Sequence, residues 1–291
     1  TVAGWASHIK NHSIARIPVA YANDFSTGPA GMALAGVATV ADGVLKLTTE
    51  ITSQYGAASI SASLVRYESL DVSWKSLVGG GAGGGADGYS LNIGSDVPAD
   101  PGYGGEEGTG TGLTVTVDTF DNGTGEDVGV DIKWNSARVA YVNIPKDDDG
   151  SGNFVRKNTF VDAHLTLDAS GVATMTYDGN TISTTIAGYS GLLANRALFW
   201  ARTGGASDNQ WVDDFSFAGF PYDASSVEAA QTVQFLVSND NPSLFSVQPA
   251  ISPDGTLTYT AAANACGVAT VTVVAQDNGG TAFGGRDISA P

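Results

Sequence analysis

Leu113-Thr114-Val115-Thr116-Val117-Asp118-Thr119-Phe120-Asp121-Asn122-Gly123-Thr124-Gly125-Glu126-Asp127 decides how this chain is read. Its first half alternates apolar and polar residues with the two-residue period of a strand. Its second half is a turn crowded with oxygen donors. Asp118, Asn122 and Asp127 offer three side chains, and the Phe120 carbonyl lies between them. Gly123 and Gly125 let the backbone curl, because glycine reaches conformations closed to other residues. A hard cation such as calcium takes about six to eight oxygens, so this spacing fits one, with waters completing the shell. An ordinary turn is the competing account, since Asp, Asn and Gly favour turns anyway.

The same alternation recurs on both sides. Upstream, Ala86-Asp87-Gly88 opens a strand from Tyr89 to Ile93, and earlier runs are Gly43 to Thr48, Ala58 to Val65 and Leu70 to Trp74. Downstream come Val128 to Trp134, Arg138 to Ile144, Val161 to Leu167, Ala173 to Tyr177, Thr181 to Ile186, Ala197 to Arg202 and Trp211 to Ala218. Asp-Gly at 42–43, 87–88, 149–150 and 178–179 supplies turn chemistry. With 38 glycines, few charges and no sustained helical period, residues 16–221 predict an all-β jelly-roll sandwich. Trp74, Trp134, Trp200 and Trp211 sit inside strand patterns and read as core. A second block, 222–291, carries Thr232 to Ser238, Leu244 to Val247, Thr256 to Thr260 and Val268 to Ala275, a spacing that predicts a smaller immunoglobulin-like sandwich. At 291 residues the chain is long enough for both cores.

The formal net charge of −17 repels nucleic acid and anionic lipid, so neither nucleic-acid binding nor membrane insertion is expected. Cys266 is the only cysteine, which excludes an internal disulfide, and its apolar surroundings predict a small buried residue. No signal peptide or membrane span is legible, so the chain is expected to start after processing or to be an excised piece. Asp147-Asp148-Asp149-Gly150-Ser151-Gly152 has half of an EF-hand pattern. Its twelfth position is Asn158, not Glu, and a solvated hairpin tip is expected. His8, His12 and His164 show no paired metal spacing.

Four segments, taken in order, resemble an L-type lectin domain, the concanavalin-like jelly roll of legume lectins and their bacterial relatives. Gly85-Ala86-Asp87-Gly88-Tyr89-Ser90 is similar to the loop whose Asp receives the sugar and follows a cis peptide. Gly102-Tyr103-Gly104-Gly105 is similar to the loop that offers a glycine amide. Val117-Asp118-Thr119-Phe120-Asp121-Asn122 with Asp127 is similar to the calcium loop. Phe199-Trp200-Ala201-Arg202-Thr203-Gly204-Gly205, with Trp211 to Phe217, is similar to the variable fourth loop and the closing strand. The resemblance implies Ca2+ on Asp118, the Phe120 carbonyl, Asn122 and Asp127. It implies a carbohydrate partner held by Asp87, the Gly104 amide and Asn122, with Phe120 or Tyr103 stacking on the ring. It also implies departures. The legume pattern has Glu and His where Thr116 and Ile132 stand, so no second, transition metal is expected. Asp96 to Gly112 is long and glycine-rich, which weakens the match at Gly104. Related glucanases carry Glu-x-Asp-x-x-Glu, and Thr116 to Asp121 contains no Glu, so retaining hydrolysis is not expected.

The tail resembles bacterial immunoglobulin/cadherin-like repeats through Val233-Gln234-Phe235, Ser238-Asn239-Asp240-Asn241, Ser252 to Thr260 and Asp277-Asn278-Gly279-Gly280. In such repeats a segment like Thr1-Val2-Ala3-Gly4-Trp5-Ala6 precedes the strand matching Thr232 to Ser238. The expectation is one repeat made of residues 1–15 and 222–291 with the jelly roll inserted. Together these readings imply an extracellular or cell-surface carbohydrate-binding module. The alternative is a structural subunit of a filament, in which an open sheet edge accepts a strand from another copy of the chain.

Overall fold

The computed structural model describes residues 18–81, 84–104, 106–123, 127–221, 232–277 and 288–289. Trp5 and the proposed partnership of residues 1–15 with the tail lie outside them, as do Gly105, Gly125 and Glu126.

The larger unit is a two-layer antiparallel sandwich. Its strands are β1 (Val19–Asn23), β2 (Met32–Gly36), β3 (Thr39–Ala41), β4 (Val44–Thr48), β5 (Tyr55–Gly79), β6 (Gly88–Gly94), β7 (Leu113–Asp118), β8 (Gly129–Trp134), β9 (Ala137–Asn143), β10 (Val161–Leu167), β11 (Val172–Tyr177), β12 (Asn180–Thr185), β13 (Leu192–Arg202) and β14 (Asn209–Pro221). The layers share β5, whose 25 residues merge two runs that the sequence reading kept apart. The first half of β5 pairs with β2 and β13, and the layer continues through β6, β7 and β8 to β9. The second half pairs with β10 and β14, with β11 and β12 beyond β10, and β1 and β4 beyond β14. Trp74 from one layer stacks edge-on against Phe199 from the other at 5.7 Å, and Phe199 meets Phe215 at 5.0 Å. Such aromatic contacts add roughly 1 kcal/mol each to area burial. Trp74 and Trp200 are buried as expected, whereas Trp134 and Trp211 are half-buried.

Strands β6 and β7 depart from simple alternation, since every residue of both is buried. Tyr89, Leu91, Ile93, Val115 and Val117 face the core. The opposite face, Ser90, Asn92, Thr114 and Thr116, is polar yet buried, because the 95–112 segment folds over it. Asn92 is the hinge of that cover. Its Nδ2 donates to Ser90 Oγ (2.9 Å), and its Oδ1 accepts from Thr109 N (2.8 Å). Val97 anchors the segment in a small apolar cluster with Leu198 and Trp200. The glycine-rich stretch is thus a fitted lid over the middle of the sheet.

In the smaller unit β15 (Val233–Asn239) pairs with β18 (Val271–Asp277), and β16 (Phe245–Ile251) pairs with β17 (Leu257–Ala261). Cys266 is exposed, which corrects the sequence expectation. Residues 262–270 form turn and loop after β17 ends, so no strand carries the thiol inward. Ala86-Asp87-Gly88 opens β6 as read from the sequence, although the Asp87-Gly88 dipeptide itself forms no hairpin turn. The expected hairpin at Asp147 to Gly152 is corrected to a surface loop between β9 and β10, which pair with β8 and with β5 and β11 but not with each other. Asp side chains close it on backbone amides, with Asp148 Oδ1 accepting from Gly150 N (2.9 Å) and Asp149 Oδ1 from Ser151 N (3.0 Å).

Candidate functional site

The ends of β6, β7 and β13 and the 95–112 segment converge at one rim of the first layer. Asp87 sits between two strand ends. Its N–H donates to the Arg202 carbonyl (3.0 Å), and its own carbonyl accepts from Thr119 N (2.8 Å) and Thr119 Oγ1 (2.9 Å). The Ala86–Asp87 peptide is cis, as the resemblance implies. Gln210 Nε2 donates to the Ala86 carbonyl (3.2 Å) and holds the bend from beneath.

Asp87, Tyr103, Phe120 and Asn122 line a single open hollow of about 410 Å³, together with Arg202 and Gly204. The two aromatic rings are among the exposed large side chains, Tyr103 at 54 % and Phe120 at 38 %. Tyr103 is pinned by its hydroxyl, which donates to the Thr203 carbonyl (3.0 Å). Phe120 is positioned through its N–H, which donates to Asp118 Oδ1 (2.8 Å). Gly104 lies against Trp200. A Cβ there would come within 2.6 Å of the indole, so only glycine fits.

Behind the hollow lies a second layer of charge. Arg202 Nε is 2.7 Å from Asp87 Oδ2 and 2.9 Å from Glu106 Oε2. Asn122 Nδ2 donates to Glu106 Oε1 (3.1 Å). Glu106, Glu107 and Asp118 each place one carboxylate oxygen within 4.8 Å of the other two. Glu106 is 1 % exposed and Asp118 2 %. Burial pushes the Glu106 carboxyl up to about 7 and raises Asp118 far above the carboxylate range, with the charge of Glu107 adding to it. Burial also raises Asp87, against the opposing pull of Arg202. Lys133 braces the far side. Its Nζ donates to the Glu107 carbonyl (2.7 Å), pairs with the Glu107 carboxylate and lies 3.7 Å from Asp131 Oδ2. An all-oxygen, desolvated, anionic cluster of this kind suits a hard divalent cation.

Of the residues singled out in the sequence, Asp118 belongs to this cluster, and Asn122 reaches it through Glu106. Asp127 does not join the group. Its carboxylate accepts from Arg138 Nη1 at 2.7 Å. Thr116 Oγ1 donates to Asp131 Oδ1 (2.7 Å), and the Ile132 side chain is in the core. Glu106, Glu107 and Arg202 were not assigned roles from sequence. The chain's only Glu-Glu pair, set in a glycine-rich stretch, was the available signal.

The sequence matches no family profile and no curated protein. The fold does match solved structures. The VIP36 exoplasmic/lumenal domain in its Ca2+/Man3GlcNAc-bound form is 16 % identical with a TM-score of 0.55, covering 72 % of this chain and 92 % of that one. A lectin from Bauhinia forficata in complex with GalNAc is 17 % identical with a TM-score of 0.56, covering 70 % and 99 %. The Emp47p carbohydrate recognition domain is 15 % identical with a TM-score of 0.53, covering 69 % and 94 %. The larger unit therefore has the legume-lectin jelly-roll fold.

Proposed function

We propose that the larger unit is a calcium-dependent carbohydrate-binding module, and that it binds without catalysing a reaction. One observation carries this. On a fold that VIP36 uses with calcium and mannose glycans, a single hollow gathers Asp87, Tyr103, Phe120 and Asn122 beside a buried all-oxygen cluster. Arg202 engages Asp87 Oδ2, and Asp87 Oδ1 would receive a sugar hydroxyl, with the Gly104 amide and Asn122 as further partners. Tyr103 and Phe120 are partly exposed, with Arg202 over the Tyr103 ring and Lys146 over the Phe120 ring, and a ring face left open would cover the apolar side of a pyranose. Asp118, the Phe120 carbonyl, Asn122 and Asp127 would hold the calcium. For Asp127 this requires exchange of its Arg138 partner. Calcium would supply fixed positive charge that holds the loop in its binding shape, which lowers the ordering cost when sugar arrives.

Binding to immobilised glycans should be abolished by EDTA and restored by calcium. Asp87→Ala should weaken it by roughly 10- to 100-fold, the loss of a hydrogen bond to a charged group. Glycan binding indifferent to both treatments would reject the site. For the metal, Asp118→Asn keeps an acceptor for the Phe120 N–H but removes the charge. Wild-type protein should melt roughly 5 °C higher in millimolar calcium than in chelator. The variant should show no such gain, and equal gains in both proteins would rule out Asp118 as a ligand.

Among the described residues no helix is long and apolar enough to cross a membrane. We place the module outside the cell or at its surface, in a protein of bacterial type, with the smaller unit as an immunoglobulin-like repeat into which the jelly roll is inserted. A second reading is favoured by one feature of the smaller unit, where Leu236, Val247 and Tyr259 are exposed on its strands. Strand addition by a second copy would cover them and build a filament. Electron microscopy of Asp87→Ala protein at high concentration separates the two readings: ordered polymers support the filament, and monodisperse particles oppose it.

A further inference from the structure

We infer that Glu106 and Glu107, carried on the 95–112 lid, are direct ligands of the cation held at Asp118. This rests on the calcium reading above and extends it to residues outside the 113–127 run.

Geometry comes first. Two oxygens on opposite sides of a calcium ion lie about 4.8 Å apart, given metal–oxygen distances near 2.4 Å. One oxygen from each of Glu106, Glu107 and Asp118 falls within that span of the others. Next is the state of the oxygens. Glu106 Oε2 and Glu107 Oε1 are buried and receive no N–H or O–H from the protein beyond the carboxyl contact that Glu107 makes with Asp118. Arg202 Nε lies near Glu106 Oε2 at 2.9 Å, as an ion pair off the hydrogen-bonding line. A buried carboxylate oxygen left in this condition is costly, and a metal ion satisfies it directly.

Charge points the same way. Among the described residues Asp87, Glu106, Glu107, Asp118 and Asp131 cluster around Arg202 and Lys133, with Arg138 acting on Asp131 from farther off. A divalent cation would bring the group close to neutrality. Lys133 also fixes which end of Glu107 faces the ion. It takes Glu107 Oε2 and the Glu107 carbonyl, leaving Oε1 for the metal. The lid that carries both residues is already seated by Val97, by Thr109 on Asn92 and by Thr111 on Asp96 (2.7 Å). Neither carboxylate therefore needs ordering when the ion arrives. On the other side of the loop Asp127 is held by Arg138, so the lid is the nearer source of negative ligands for Asp118.

Calorimetric titration of the full chain with calcium alone tests this. Glu106→Gln and Glu107→Gln are each expected to weaken calcium binding about tenfold or more, because affinity follows the number of charged ligands. Glu50→Gln, on an exposed residue, should leave it unchanged. Melting in chelator checks folding. Should Glu107→Gln fail to fold, the double variant with Lys133→Met removes the ammonium left behind and repeats the test. Unchanged calcium affinity in both Glu variants overturns the inference, as does wild-type protein that binds no calcium. Calcium binding that needs both residues, without any glycan binding, upholds the inference and overturns the sugar reading. Glycan binding with calcium affinity indifferent to both residues does the reverse.

Discussion

Arg156→Ala is expected to destabilise the larger unit by about 3–5 kcal/mol, the cost of stranding a buried charge. Asp208 is fully buried, and its carboxylate is gripped by Arg156 at two points, Nε to Oδ2 at 2.7 Å and Nη2 to Oδ1 at 3.0 Å. The hydrogen bond to Asp208 is the largest cause raising the Arg156 pKa above its already high ordinary value. Deleting the guanidinium leaves a carboxylate whose one backbone donor among the described residues is Gly81 N at 3.1 Å. The pair also seats the segment that leads to Asp87. Arg156 Nη2 donates to the Gly81 carbonyl (3.3 Å), and Gly85 packs so tightly that a Cβ there would meet both Arg156 and Asp208. Glycan binding should therefore weaken even though Arg156 does not line the hollow. Urea denaturation measures the stability loss. Combining Arg156→Ala with Asp208→Asn should recover part of it, because the stranded group is then neutral. A loss below about 1 kcal/mol would mean that Asp208 is solvated more freely than its burial indicates.

This pair marks the boundary of what the sequence could reveal. Runs such as Tyr89 to Ile93 and Leu113 to Val117 were legible because side-chain period and turn residues are local properties. The cis Ala86–Asp87 bend and the placement of Asp87, Tyr103, Phe120 and Asn122 in one hollow followed from resemblance, since no local rule brings residues 87 and 122 together. β1, β2 and β3 were missed; they are short edge elements with weak alternation, held by the strands they pair with. Glu106 and Glu107 were missed for a different reason. Their role depends on Val97 finding Leu198 and Trp200, a contact about a hundred residues long-range in sequence, and on Asn92 capturing Thr109. Arg202 lay inside a quoted motif, but its charge reads as a surface residue until β13 is seen to end beside Asp87. Cys266 was misjudged because apolar composition was taken for burial in a segment that forms no strand.

In chelator, stability should fall as the pH rises from about 4.5 through 7, and calcium should reverse that trend. Burial raises Glu106 from 4.5 to about 7. Burial likewise raises Asp131 from 3.8 to about 6, opposed by Lys133. Asp118 is raised further still. Within these windows the folded protein keeps protons that the unfolded chain has released. Stability is then full below the unfolded values and is lost as the pH climbs through the folded ones. Glu106 alone accounts for about 3 kcal/mol across its window, at roughly 1.4 kcal/mol per pH unit. Self-repulsion from the net charge of −17 acts in the same direction. A divalent ion needs these carboxylates ionised, so protons compete with it and its binding strengthens as they leave. Melting curves with and without calcium should nearly coincide at pH 5 and separate widely at pH 8, with the calcium form the more stable. Curves that run parallel across that range would show that the cluster is not where the cation sits. Should stability in chelator instead rise with pH, Glu106 and Asp118 would have to be charged and compensated within the protein. Arg202 and Lys133 would then be sufficient counter-ions on their own.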